Sequence, residues 1–129
     1  MRWYIPVMLT GLLAGCSGTP DCGSADTLSL LDEIIEERFA DSLLGKQTRS
    51  KVDYRVRNIR MLDHDRSIDA YQCLATFEIT PVGESEKIAS EDVEFDVYTV
   101  QDDEADFEIQ YDEGISKAIV IAAMSRNLR

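Results

Sequence analysis

The sequence predicts an α+β domain in which an N-terminal helix packs on a four-stranded antiparallel meander, with a C-terminal segment closing as helix or strand. Apolar residues recur at helical spacing between residues 26 and 45, and the period then drops to two over four successive segments. The connections between those segments are too short to hold crossover helices, which excludes a parallel sheet. A chain of 129 residues fits one domain, and a hydrophobic fraction of 44% is enough for a packed core.

In the helix, Leu28, Leu31, Ile35, Phe39 and Leu43 form the stripe, widened by Leu30, Ile34 and Leu44, while Asp32, Glu33, Glu36 and Glu37 lie off it. Asp26 is the predicted N-cap and Gly45 the predicted stop. The acids of the first half suit the positive end of the helix dipole. In the first strand Val52, Tyr54 and Val56 point inward and Lys51, Asp53, Arg55 and Arg57 outward; Ile59 and Met61 resume on the opposite parity, which predicts a bulge near Arg57-Asn58. A polar stretch over 63–69 is read as a turn. Tyr71, Cys73, Ala75, Phe77 and Ile79 form the second inward row, which Pro81 ends because proline cannot donate to a central ladder. A polar connection over 82–90 leads to Val93, Phe95 and Val97, and an acidic turn over 101–105 leads to Phe107, Ile109 and Tyr111. Over 114–129, Ile115, Ile119 and Ala122 fit a helix, whereas 118–123 also reads as a buried strand. The helix is favoured, because Ala, Met and Lys are good formers and Lys117, Arg126 and Arg129 bias positive charge toward its C-terminal half.

The first sixteen residues carry an address. One positive charge at Arg2 precedes a short apolar run over 5–14 that ends in small residues, the layout of a secretory leader and too short for a membrane-spanning helix of ~20 residues. The run closes in Leu13-Ala14-Gly15-Cys16, which resembles the lipobox of bacterial lipoproteins at every position of that motif. The resemblance implies that the Cys16 thiol receives a diacylglycerol, that the leader is cut before it, and that the new amino group is acylated. Two or three acyl chains anchor stably where one does so marginally. Ser17 in place of Asp is similar to the pattern that permits export to the outer membrane in enteric-type lipoproteins, facing the periplasm. The expected organisation is therefore a leader over 1–15, a lipidated tether over 16–25 rich in Gly, Pro and Ser, and a single domain over 26–129. Cleavage removes only Arg2 among the charged side chains.

Cys22 and Cys73 remain, an even number in an oxidising compartment, and are expected to pair as a disulfide that pins the tether to the body. They lack the C-x-x-C spacing of a redox pair. A helix followed by a four-stranded meander over 26–112 resembles the cystatin-like and NTF2-like α+β folds by element order. No inhibitor motif of the cystatins is present, so their activity does not carry over. The leader, the early Cys, the acidic helix and the Tyr-x-Cys strand also resemble small uncharacterised bacterial lipoproteins.

The 25 acidic against 13 basic side chains give a formal charge of -12. That argues against nucleic acid as partner and against charge-driven adhesion to anionic lipid. His64, the only histidine, lies in Asp63-His64-Asp65. A neighbouring carboxylate is one requirement of a general base. However, adjacent residues on a turn point apart and no nucleophile motif accompanies them, so a solvated turn is expected. One histidine leaves zinc without ligands, and Asp102, Asp103, Glu104 and Asp106 lack EF-hand spacing, so they read as an exposed hairpin tip. No cofactor or metal is expected. Outward carboxylates Glu94, Asp96, Glu108 and Asp112 are expected to pair weakly across the sheet with Arg55 and Arg57.

Leu74, Tyr98 and Val100 fall on the outward parity amid these charges; with Glu94 and Asp96 they form the candidate binding surface, unless the C-terminal segment covers them. The expectation is a non-enzymatic envelope lipoprotein that binds a protein, which its own charge suits to be basic. The alternatives are an immunity or inhibitor protein that neutralises a basic toxin or hydrolase in the periplasm, and an NTF2-like pocket for a small molecule.

Overall fold

The structure, a computed structural model, describes residues 18–100 and 107–125. The lipobox, the acidic group at 102–106 and the last four residues lie outside them. Helices α1 (Ala25–Ala40) and α2 (Leu43–Arg49) precede strands β1 (Val52–Asp65), β2 (Ala70–Pro81), β3 (Ala89–Thr99) and β4 (Phe107–Tyr111), and helix α3 (Gly114–Ala123) follows. The strands form one antiparallel sheet in the order β1-β2-β3-β4, so the fold is the expected α+β meander and the C-terminal segment is a helix.

The helical stretch is two helices, not one. Ser24, rather than Asp26, caps α1, its side chain accepting from the Thr27 amide at 3.2 Å. After Ala40 the chain turns through Asp41, and Ser42 starts a new helix by accepting from the Gly45 amide at 2.9 Å. Gly45 is thus an interior residue of α2 and not a stop. A Cβ there would lie 2.3 Å from the Phe39 carbonyl oxygen, so the glycine lets the two helices approach closely. The second helix turns Leu43 and Leu44 away from the stripe, and both are exposed.

The inner rows of the sheet and the apolar faces of the helices make one core. Phe39 and Ile35 of α1, Phe77 and Ile79 of β2, Phe95 of β3 and Ile115 of α3 are its largest fully buried side chains. Fully burying residues of this size contributes about 1.5–3 kcal/mol each. Tyr54 and Phe107 are only half-buried, packed against the margin of this core. Arg49 locks α2 to its neighbours. Its guanidinium donates to both Glu36 carboxylate oxygens at 2.9 Å and to the Val52 carbonyl at 3.0 Å, and it lies over the Phe39 and Tyr54 rings.

The bulge read from parity is present: pairing of β1 with β2 shifts between Arg57 and Arg60, and Asn58 takes a positive φ of 54°. A second shift between Met61 and Asp63 restores the ladder, so β1 continues to Asp65 and the turn shrinks to 66–69. Two bulges and three arginines (Arg55, Arg57 and Arg60) discourage pairing along this long edge strand.

Candidate functional site

All three helices pack on one face of the sheet, with Ile115, Ala118, Ile119 and Ala122 of α3 in the common core. The alternative in which the C-terminal segment covers the outer face is therefore overturned. Among the described residues, no helix covers that face.

Registration places the outward side chains in rows. Arg60 faces Leu74, which faces Glu94; Asp63 faces Gln72, then Asp96, then Gln110; Tyr98 faces Glu108. Leu74, Asp96 and Tyr98 are half-buried and Glu94 is exposed, so four of the five expected surface residues share this face; Val100 follows the end of β3, half-buried. The Tyr98 hydroxyl points to Glu108 Oε1 at 3.4 Å, and partial burial, with Glu108 and Asp96 beside it, raises the phenol's pKa.

Charge is segregated along the face. At one end Glu78, though outward, is nearly buried between Lys87 at 3.0 Å and Arg57 at 3.5 Å, and chiefly Lys87 holds its carboxyl below the usual range. Arg57 is thus used by β2, and the expected pairing of Arg55 and Arg57 with Glu94, Asp96, Glu108 and Asp112 does not form. Arg55 and Arg57 register with Glu78 and Thr76, whereas Glu94 and Asp96 register with Leu74 and Gln72 further along β2, and Glu108 and Asp112 lie a strand further away. At the other end, no ion pair reaches Asp63, Asp65, Glu94, Asp96 or Glu108 among the described residues.

This acidic end is concave. Ala70 offers only a methyl between Asp63 and Asp65 of β1 and Asp96 of β3, and Ile68 of the β1–β2 turn stands at the rim. The resulting depression measures about 240 Å³. It continues past Ile68 and Asp96 into a second, of about 320 Å³, bounded by Tyr98 and Gln110. Asp65 is kept ionised by its hydrogen bonds from the Ser67 hydroxyl and amide, which lower its pKa. Carboxylates around a small apolar floor suit the ammonium or guanidinium of a Lys or Arg side chain, with the apolar stem against Ile68 and Ala70. A turn over 63–69 leaves Asp63, Asp65 and Ile68 off any strand face and Ala70 unassigned; the resumed alternation of Asp63 and Asp65 after Met61-Leu62 is the signal in the sequence that places the two carboxylates on the outer face.

The other expectations fall at the same end of the sheet, on its helix side. Cys22 and Cys73 are joined as a disulfide. His64 is not in a solvated turn. It lies on β1, stacks on Tyr71 with ring centroids 4.0 Å apart, and contacts Asp69 Oδ1 through Nε2 at 2.8 Å. Asp69 Oδ2 accepts from the Thr19 amide at 2.8 Å, and these two contacts, the Thr19 amide first, hold its carboxyl below the usual range. The Thr19 and Thr99 hydroxyls share a hydrogen bond. His64 thus braces the Asp69 carboxylate that holds the N-terminal segment. A further hollow of about 440 Å³ lies beside that segment, walled by Cys22, Ile59, Met61 and Tyr71.

Among the described residues, no group of three or more His, Cys, Asp or Glu is placed to hold a metal ion, and no helix is long and apolar enough to cross a membrane. No family model, no curated protein and no solved structure matches the chain.

Proposed function

We propose that this protein is a non-enzymatic, lipid-anchored component of a bacterial envelope that binds a basic segment of a partner protein on the outer face of its sheet. The observation that carries the reading is the acidic end of that face, uncovered among the described residues, where Asp63, Asp65 and Asp96 surround Ala70 beneath an exposed Ile68. The lipobox supplies the expected anchor at Cys16, and the net charge of -12 favours capture of a cationic partner, raising its association rate more than its affinity.

The test is capture from envelope extract by the acylated protein at low and high salt, comparing wild type with Asp96→Lys. The expected result is a basic protein held at low salt, released as salt rises, and held at least about tenfold more weakly by the variant, a difference of about 1.4 kcal/mol. Capture that is indifferent to both salt and Asp96→Lys would overturn the proposal. A tight 1:1 complex with a basic hydrolase or toxin would assign the immunity role, and co-recovery of several envelope subunits an accessory role in an assembly.

A further inference from the structure

The stretch before α1 that composition reads as a tether is, where described, a strap. Thr19 is held to Asp69 in the β1–β2 turn and to Thr99 at the end of β3. A Cβ on Gly18 would meet the Asp69 carboxylate at 2.4 Å, so the chain runs against that turn. Cys22 is bonded to Cys73 on β2, and the Asp21 carbonyl accepts from the buried Thr27 hydroxyl at the start of α1 at 2.6 Å. These attachments leave no free spacer between Gly18 and the body.

From these contacts we infer that the end of the sheet carrying the β1–β2 turn is the membrane-apposed surface of the protein, with the headgroup layer of the bilayer as its occupant. The inference rests on acylation of Cys16. Two peptide units join Cys16 to Gly18 and span at most about 7 Å between their Cα atoms, so an acyl chain on Cys16 is tethered close to Gly18. Because Gly18 runs against Asp69, a lipid tethered so near to it brings the turn itself, Arg66-Ser67-Ile68, to the interface. Ile68 is 66% exposed at that point, an apolar side chain beside the exposed, cationic Arg66, which suits a headgroup boundary. The opposite end of the sheet, the β2–β3 connection with Glu84 and Glu86, then points away. Strand β2 has 12 residues, which separates the two ends by roughly 35 Å at about 3.3 Å per residue. The acidic depression at Ala70 belongs to the near end, so its partner is met beside the bilayer. The net negative charge gives the body no attraction to anionic lipid, so the strap and the anchor, not surface charge, set this orientation.

The test uses the full-length chain, acylated in its host and reconstituted in phosphatidylethanolamine/phosphatidylglycerol vesicles containing a headgroup nitroxide lipid. A fluorophore is placed at Ser67→Cys or at Ser85→Cys, with Cys22 and Cys73 engaged in their bridge. Co-flotation with the vesicles is measured on the same samples. The expected result is that both proteins float and that quenching is several-fold stronger at position 67 than at 85. In Asp69→Ala, which removes the acceptor of the Thr19 amide and leaves the Thr99 contact and the bridge, flotation is expected to persist while the difference between the positions narrows. Flotation with equal quenching at both positions, or with stronger quenching at 85, would overturn the orientation and leave the anchor standing. Failure of wild type to float would overturn the anchor and the orientation together.

Discussion

Removing the Cys22–Cys73 bridge should cost more stability than any single hydrogen bond of the strap. The bridge closes a loop with a sequence separation of 51. In the chain-entropy description, its loss frees that loop in the unfolded state and destabilises the fold by about 4 kcal/mol. Both cysteines are buried, Cys73 completely, so Cys→Ala at both positions adds no buried polar group. Equilibrium urea unfolding of the mature chain, followed by far-UV circular dichroism with and without reductant, measures the effect. At a slope of about 1.5 kcal/mol/M, the midpoint should fall by roughly 2.5–3 M on reduction and by a similar amount in the double alanine variant. A fall below about 0.5 M would refute the entropic argument. Two free thiols titrated in the unreduced, unfolded chain would refute the bridge itself.

Other consequences follow from single contacts. Phe77→Ala, at a position 1% exposed between β2 and the helices, should destabilise by about 3–5 kcal/mol in the same assay. Gly45→Val forces a Cβ against the Phe39 carbonyl oxygen and should cost about 1–3 kcal/mol; a neutral result would contradict the close approach of α2 to the end of α1. Because the Thr19 amide and His64 depress the Asp69 pKa, the stabilisation is present above the unfolded value of about 3.9 and is lost as pH falls through the folded value. The protection of the Thr19 amide from hydrogen exchange, taken relative to its intrinsic rate at each pH, should therefore hold through neutral and mildly acidic pH and fall only in stronger acid; loss of protection near neutral pH would contradict this contact.

The inward rows were legible because each strand has one buried face, and alternation at Cys73, Ala75, Phe77 and Ile79 records it directly. The bulge near Asn58 was legible for the same reason, as a change of parity. The break after Ala40 was not, since the apolar spacing runs on through Leu43 and Leu44; only the capping Ser42 and the close contact at Gly45 divide the helix. Leu74, Glu94, Asp96 and Tyr98 could be assigned to the outer face by parity alone. The concavity beside them could not, because it depends on cross-strand registration of Asp63 with Gln72 and Asp96, and on the small side chain at Ala70. Likewise the strap depends on Asp69 reaching back 50 residues to Thr19, a distance that no local pattern encodes.

The anchor proposed at Cys16 underlies both the proposed function and the orientation at the membrane, and the mass of the N-terminal peptide tests it most directly. The account predicts a peptide that begins at Cys16 and carries a diacylglyceryl thioether and an amide-linked acyl chain, absent when Cys16→Ser blocks processing. A mature chain that still begins at Met1, or one with an unmodified Cys16 thiol, would contradict it.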